Sequence, residues 1–365
     1  MIYYLFILLV LFVQYCNHIS DNNSAEFQTI GYKKQFIKYF GTIIPILLIM
    51  GLRHTSVGND TEQYLYRYNN SKELLYDPYV QSEYGYNYLG WFFHDILGMD
   101  WQMYLLFTSA IICVCLLLFL IRYSTNIYLS LYLYVTIGLF YMNMSGLRQS
   151  IAIALCTTSL LIASSTYKKY VIRQSIAVFL VFVAFTIHNS AFIFFPILFC
   201  TKFRFSRKQV LMMLLLASSA LFLRPLIVQS STFLLPSRYQ TYDIDTNYEA
   251  NPLVQLIPIL IPLYCLYSSK TEEDGKFSNS ISMMYLFASL NIFFMSLIQS
   301  NNQIGRLAFY FVNCYTILIP YSISSRSYRI DSSIIYIIII LCFLYFFLSV
   351  SGGTLSIDNY KFFWQ

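Results

Sequence analysis

The sequence predicts an all-α polytopic integral membrane protein with about twelve transmembrane helices and two long extracytoplasmic loops. Of its 365 residues, 58% are hydrophobic and 11% are charged, whereas a typical soluble domain is about 25% charged. The mean hydropathy is +0.58. The apolar stretches are long and continuous, unlike the short alternating segments of a transmembrane barrel. Soluble, disordered and disulfide-stapled classes of protein are therefore excluded.

Twelve apolar windows are predicted to form the spans, and together they make one membrane domain over residues 1–365. The stretch 171–201 is flanked on both sides by basic clusters, at 168–173 and 202–208. Both clusters favour the cytoplasm, so the chain has to cross the membrane an even number of times between them. We therefore place a break at 187–190. The windows are 1–16, 36–52, 102–121, 127–144, 147–165, 171–187, 189–201, 209–228, 252–268, 280–299, 304–322 and 333–351.

The distribution of basic residues sets the predicted orientation. With the N-terminus outside, most of the 23 Lys and Arg residues fall in cytoplasmic segments, as the positive-inside rule requires. Residues 53–101 and 229–251 then form two long extracytoplasmic loops. Loops of this length are usually functional or disordered. Because the first is rich in Tyr and Trp, we interpret it as functional.

Basic residues on the outer side break the charge rule and need an explanation. Arg53 ends the second predicted span, while Arg148 and Arg306 stand at the start of two others. A guanidinium beside a helix N-terminus suits phosphate oxygens, and the alternative is snorkelling to lipid headgroups. Gln149, which follows Arg148, and Arg238, in the second outer loop, are included among the predicted substrate-binding residues.

Three residues are candidates for a general base. His188 lies at the predicted break and could take a proton from a sugar hydroxyl, or it could hydrogen-bond a free backbone carbonyl. Asp60 and Gln63 form a capping-box pattern, so Asp60 could instead cap its helix or orient Arg53. Glu83 could simply be solvated. A carboxylate close to arginines is a weakened base, whereas a neutral imidazole is well matched to neutral pH, so His188 ranks first.

Eight tyrosines occur between residues 64 and 88, with Trp91 and Trp101 nearby. Some fit an aromatic belt at the membrane interface, and others, among them Tyr64, would suit stacking on sugar rings. Asp243 and Asp245 form a DxD pattern like that of metal-using glycosyltransferases, but two acids in a polar loop are common. We therefore predict no metal and no other cofactor. The net charge of +6 is spread over short loops and does not indicate nucleic-acid binding.

Several short motifs follow one another along the chain and share a predicted outer-face position. They are Gly51-Leu52-Arg53-His54, Val57-Gly58-Asn59-Asp60 with Tyr64, Glu83-Tyr84-Gly85-Tyr86-Asn87, Leu147-Arg148-Gln149-Ser150-Ile151-Ala152, Ile187-His188-Asn189-Ser190-Ala191 and Asn359-Tyr360-Lys361-Phe362. In this order they resemble the EpsG family of Wzy-like polysaccharide polymerases. The resemblance covers nearly the whole chain and departs from the family pattern at Asn59, where a small hydroxyl residue is expected.

The resemblance implies an enzyme of the bacterial inner membrane that polymerises oligosaccharide units carried on undecaprenyl diphosphate. The glycan would pass to a sugar hydroxyl of another lipid-linked unit on the outer face, with cations aimed at the leaving diphosphate. Expected partners are the bilayer, the lipid-linked oligosaccharide, a chain-length regulator and a flippase. Two alternatives stay open. A lipid-linked oligosaccharide flippase needs the arginines but no base, and an O-antigen ligase uses the same donor with lipid A core as acceptor.

Overall fold

The computed structural model describes residues 2–20, 32–76, 83–165, 169–234, 252–297, 305–325, 332–351, 357 and 359–365. Within these ranges the chain forms helices and no β-strand, which confirms the predicted all-helical class. The chain divides into two compact units. One consists of Met1–Phe199 and Ser332–Gln365, and the other of Cys200–Asp331.

The helices follow the predicted apolar windows closely, and three further short helices lie between the second and third windows. The α-helices are α1 (Ile2–Ser20), α2 (Tyr32–Gly51), α3 (Thr61–Asn69), α4 (Ser71–Tyr76), α5 (Tyr84–Trp91), α6 (Trp101–Tyr123), α7 (Ile127–Thr136), α8 (Leu139–Ser145), α9 (Leu147–Ser164), α10 (Tyr170–Ile187), α11 (Phe194–Phe199), α12 (Arg207–Leu234), α13 (Pro252–Ser268), α14 (Asn279–Leu297), α15 (Tyr315–Ser324) and α16 (Ser332–Ser351).

Five of the described helices are long and apolar enough to cross a membrane, namely α2, α6, α9, α10 and α14. The pair α7 and α8, bent by 56°, makes a sixth if it is one broken span. Gly138 at the bend has a φ of +95°, a left-handed conformation that favours glycine. These helices agree with a polytopic membrane protein. The full set of twelve spans stays a prediction, to which shorter apolar helices contribute at Tyr3–Cys16, Asn189–Lys202, Leu256–Ser268 and Ile337–Leu348.

Helices occur in the described parts of both segments that were predicted as long loops. Residues 53–76 and 83–101 contain α3, α4, α5 and a π-helical turn at Phe92–Ile96. In the other segment, residues 229–234 extend α12, and residues 235–251 lie outside the described residues. The predicted break in 171–201 is present, because α10 ends at Ile187 and a 3-10 helix, Asn189–Ile193, follows it.

Contacts within each unit join segments that were predicted to share one side of the membrane. In the first unit, Arg122 donates a hydrogen bond to the Tyr32 hydroxyl at 2.7 Å. In the second, Arg204 forms ion pairs with Glu272 and with Asp274, the latter at 2.8 Å. All five residues lie in segments predicted to be cytoplasmic. The pairs also neutralise two acids that weaken the charge rule on that side, while the absolute orientation stays a prediction.

Candidate functional site

One carboxylate joins two other residues of the predicted outer face. Oε1 of Glu83 lies 2.6 Å from Nδ1 of His188, and Oε2 accepts a hydrogen bond from Arg148. The three side chains are largely buried, with Glu83 10% and His188 20% exposed. A carboxylate with both oxygens bonded to such donors is suited to the ionised form. We refer to Glu83, Arg148 and His188 as the carboxylate cluster.

Three helix ends assemble the carboxylate cluster. Glu83 immediately precedes α5, Arg148 is the second residue of α9, and His188 directly follows α10. Helix α10 packs against both α9 and α5. Gly85 permits the close approach of α5 to α10, because a Cβ at this position would lie 2.8 Å from the backbone carbonyl carbon of Thr186. The cluster therefore depends on a position without a side chain.

The hydrogen bond from His188 to Glu83 decides which nitrogen of the imidazole carries the proton. A carboxylate only accepts, so we assign the proton to Nδ1. The lone pair of the neutral ring then lies on Nε2, which is the nitrogen suited to accept a proton from a hydroxyl. Glu83 orients the ring in the way that the carboxylate orients histidine in a hydrolase triad.

The guanidinium of Arg148 lies over two tyrosine rings. Its Cζ is 5.6 Å from the centroid of the Tyr64 ring and 5.9 Å from that of Tyr86, and these rings meet edge to face at 5.8 Å. Both tyrosines are buried, and burial raises the pKa of Tyr86 well above its ordinary value. The neutral rings attract and orient the guanidinium. The Tyr64 ring, which was predicted to stack on a sugar, packs against the guanidinium of Arg148.

A second guanidinium near Arg148 was missed by the sequence analysis. Arg67 lies in the last turn of α3, three residues after Tyr64, and is half-buried. Burial lowers its pKa, and repulsion by Arg148 lowers it further. The signal that could have found it is the spacing from Tyr64, since residues three apart on a helix are neighbours.

Arg53, predicted to bind substrate, is fully buried. Its guanidinium donates hydrogen bonds to the backbone carbonyls of Met50 and, at 2.9 Å, Met144. Its backbone forms an isolated β-bridge with Phe362 of the C-terminal segment. Burial lowers the pKa of Arg53 to about 10, so the group stays charged at neutral pH. These bonds hold the end of α2 against the end of α8 and against the C-terminal segment, and a role for Arg53 in binding substrate stays a prediction.

The C-terminal motif packs against the motif that contains Arg53. The backbone N–H of His54 donates to the carbonyl of Lys361 at 2.9 Å, and the Tyr360 hydroxyl donates to the carbonyl of Ile49 at 2.9 Å. Two motifs that stand at opposite ends of the sequence are therefore in direct contact. The carboxylate cluster likewise brings together the three motifs that contain Glu83, Arg148 and His188.

The sequence profile of the EpsG family matches residues 36–363. The chain belongs to the EpsG family. This confirms the resemblance seen in the motifs, and membership in the EpsG family indicates a polysaccharide-polymerase-like, glycosyltransferase-type role in a membrane. No curated protein and no solved structure matches the chain.

Asp60 of this EpsG-family protein has the position of a helix cap but not the bond of one. Asp60 stands at the N-cap of α3, but its side chain makes no capping bond, and it forms no ion pair with Arg53 in the described part of the chain. Helix α9 has Gly146 as its N-cap. The hydroxyl of Ser145, the residue before it, accepts from the backbone N–H of Asn59 at 3.4 Å, because the segment after α2 folds back onto the end of α8.

The other predicted site residues of this EpsG-family protein are not members of the carboxylate cluster. Gln149 is buried on α9 beside Arg148. Arg306 is exposed at the start of a 3-10 helix, Arg306–Tyr310, in the second unit. Arg238, Asp243 and Asp245 lie outside the described residues. Among the residues that the structure does describe, no group of three His, Cys, Asp or Glu side chains could hold a metal ion.

Proposed function

We propose that this EpsG-family protein is a polysaccharide polymerase that uses undecaprenyl-diphosphate-linked glycan as donor. The acceptor is a sugar hydroxyl of another lipid-linked repeat unit. The observation that carries the proposal is the carboxylate cluster, in which an oriented imidazole and a guanidinium are joined by one carboxylate. Following the predicted orientation, we place the reaction at the outer face of the bacterial inner membrane.

The proposed transfer forms one glycosidic bond and breaks one bond to phosphate. The acceptor hydroxyl oxygen attacks the anomeric carbon of the donor, and the hydroxyl proton passes to Nε2 of His188. The bond from the anomeric carbon to the diphosphate oxygen breaks, and undecaprenyl diphosphate leaves with the electron pair. Glu83 stabilises the imidazolium, and Arg148 stabilises the charge that grows on the diphosphate. The imidazolium then releases its proton to solvent.

Sugar binding is assigned to exposed tyrosines next to the carboxylate cluster. Tyr84 and Tyr88 lie one turn apart on α5 and are 41% and 56% exposed. Side chains at this spacing share a helix face, and tyrosine offers both an apolar ring and a hydroxyl to a sugar. Arg306 stays a proposed ligand for the second lipid-linked unit, and Gln149 and Arg238 stay proposed substrate-binding residues.

A strain that lacks this protein distinguishes the proposed activity from its alternatives. Lipid A core carrying single repeat units, with no long polysaccharide, supports a polymerase. Lipid-linked units that accumulate on the cytoplasmic side indicate a flippase, and long chains that remain unattached indicate a ligase. Either of the last two results would refute the proposal.

Variants expressed in that strain test the carboxylate cluster. We expect His188→Gln to lower polymer synthesis by about 100-fold or more, because general-base catalysis contributes about 10²–10⁴ in rate. Arg148→Lys keeps the charge but loses the planar guanidinium with its paired N–H donors, so polymer synthesis by this variant should also fall sharply. His94→Gln is the matched control, since His94 pairs with Asp95 at 3.3 Å and is 37% exposed. Normal polymer from His188→Gln at an equal protein level would refute its role as the base.

A further inference from the structure

Arg148 and the described charged groups that interact with it carry more positive than negative charge. Arg148 and Arg67 both carry a guanidinium in this region, while Glu83 is the carboxylate bonded to Arg148. The second oxygen of Glu83 is bonded to His188, so this carboxylate is already shared. One carboxylate set against two guanidinium groups leaves a net positive charge that favours an anion.

Arg67 is held among groups that do not neutralise it. It lies three residues after Tyr64 on α3, which packs on α5, and side chains at this spacing are neighbours on a helix. The Tyr64 ring in turn lies 5.6 Å from the guanidinium carbon of Arg148, so both guanidinium groups lie beside the same ring. In the described part of the chain it has no hydrogen bond and no carboxylate partner. Two cations held in the same partly buried region repel each other. An anion bound between the two would relieve the repulsion.

We propose that Arg67 and Arg148 together form a binding site for the diphosphate group of the lipid carrier. The inference rests on the proposed function, because the polymerase reaction is what makes a lipid diphosphate the ligand. It adds to that function a second cation at the leaving group.

The chemistry of a diphosphate explains why one guanidinium does not suffice. The leaving group carries charge on both phosphates, and one nitrogen of Arg148 already donates a hydrogen bond to Glu83. Guanidinium groups bind phosphate oxygens through two parallel hydrogen bonds. Arg67 therefore supplies a second pair of parallel N–H donors, while the rings of Tyr64 and Tyr86 hold Arg148 in place.

The test measures inorganic pyrophosphate binding to the purified full-length protein in detergent. We expect Arg67→Gln and Arg148→Gln each to raise the Kd by about tenfold or more, in line with the strength of charged hydrogen bonds. The Kd of Arg67→Lys should lie between those of Arg67→Gln and the wild type, because lysine keeps the charge and loses the paired N–H donors. Lys72→Gln, which removes an exposed cation on the neighbouring helix α4, should bind like the wild type.

Several results would overturn the proposal. These are an unchanged Kd for Arg67→Gln, an equal loss of binding in Lys72→Gln, or no binding of either pyrophosphate or undecaprenyl diphosphate to the wild type. Undecaprenyl diphosphate should displace bound pyrophosphate at a lower concentration than UDP, and the reverse order would refute the lipid carrier as the ligand. The binding assay needs no turnover. Normal polymer from Arg67→Gln with normal binding would thus reject this site and leave the polymerase assignment intact.

Discussion

Replacement of Gly85 by alanine tests whether the approach of α5 to α10 positions the carboxylate cluster. The new Cβ would lie 2.8 Å from the backbone carbonyl carbon of Thr186, whereas ordinary contacts begin at 3.4 Å. Rotation of the Thr186 side chain cannot relieve a clash with its backbone. The two helices must therefore separate by about 0.6 Å, the difference between these two distances.

This separation acts on the bond between Glu83, which precedes α5, and His188, which follows α10. A 2.6 Å contact lengthened by that amount reaches about 3.2 Å, the outer end of the hydrogen-bond range. A misplacement of about 1 Å can cost roughly 100-fold in rate, so we expect Gly85→Ala to lose roughly tenfold. Overpacking should also destabilise the fold by about 1–3 kcal/mol.

The assay is the amount and length of surface polysaccharide made by the deletion strain that expresses each variant at a matched protein level. Gly41→Ala is the control, because a Cβ at this position of α2 meets nothing within 4 Å. Adding Thr186→Ala to Gly85→Ala should restore little, since the backbone contact remains. Polymer of normal amount and length from Gly85→Ala would refute the view that this close approach sets the site geometry.

Three further predictions concern stability and orientation. Tyr360→Phe removes the buried hydrogen bond to Ile49 and should lower the free energy of unfolding by about 1 kcal/mol, measured as a lower melting temperature in detergent. Arg53→Gln should reduce the amount of folded protein in the membrane, whereas Arg148→Gln should keep the protein level and lose the polymer; equal protein levels would contradict the structural role of Arg53. A single cysteine at Lys72 should react with an impermeant thiol reagent outside the cell and one at Lys208 should not, and the opposite pattern would reverse the topology.

The helices could be predicted because hydropathy is a local property of the sequence. Each predicted window coincides with helical structure, and charges on either side of the long window 171–201 located the break near Ile187. The segment 53–101 was harder, because its short helices are stabilised by packing against other helices rather than by their own apolar periodicity. For the same reason its polar residues were read as a loop.

The site was only partly predictable, since its contacts join distant parts of the chain. Glu83 is 105 residues from His188 and 65 from Arg148, and no sequence pattern links such separations. Single residues could be identified from the sequence as candidate bases or phosphate ligands. That Glu83 bonds both His188 and Arg148 could not be predicted from it. Arg53 shows a second limit, because the sequence predicts a phosphate ligand from its position at a helix end but not its burial or its bonds to backbone carbonyls.

The division of tasks in the carboxylate cluster follows from the bonds that each group has already made. Each oxygen of Glu83 accepts a hydrogen bond from a basic group, so protonation of Glu83 would weaken its bonds to His188 and Arg148, which depend on the charge of the carboxylate. With its proton on Nδ1, the neutral imidazole carries its acceptor lone pair on Nε2, which is consistent with His188 as the base. On the proposed mechanism the shared carboxylate also couples the two halves of the reaction. As the imidazolium forms, Glu83 is drawn toward it and neutralises Arg148 less, so the guanidinium acts more strongly on the diphosphate at the moment when that group departs.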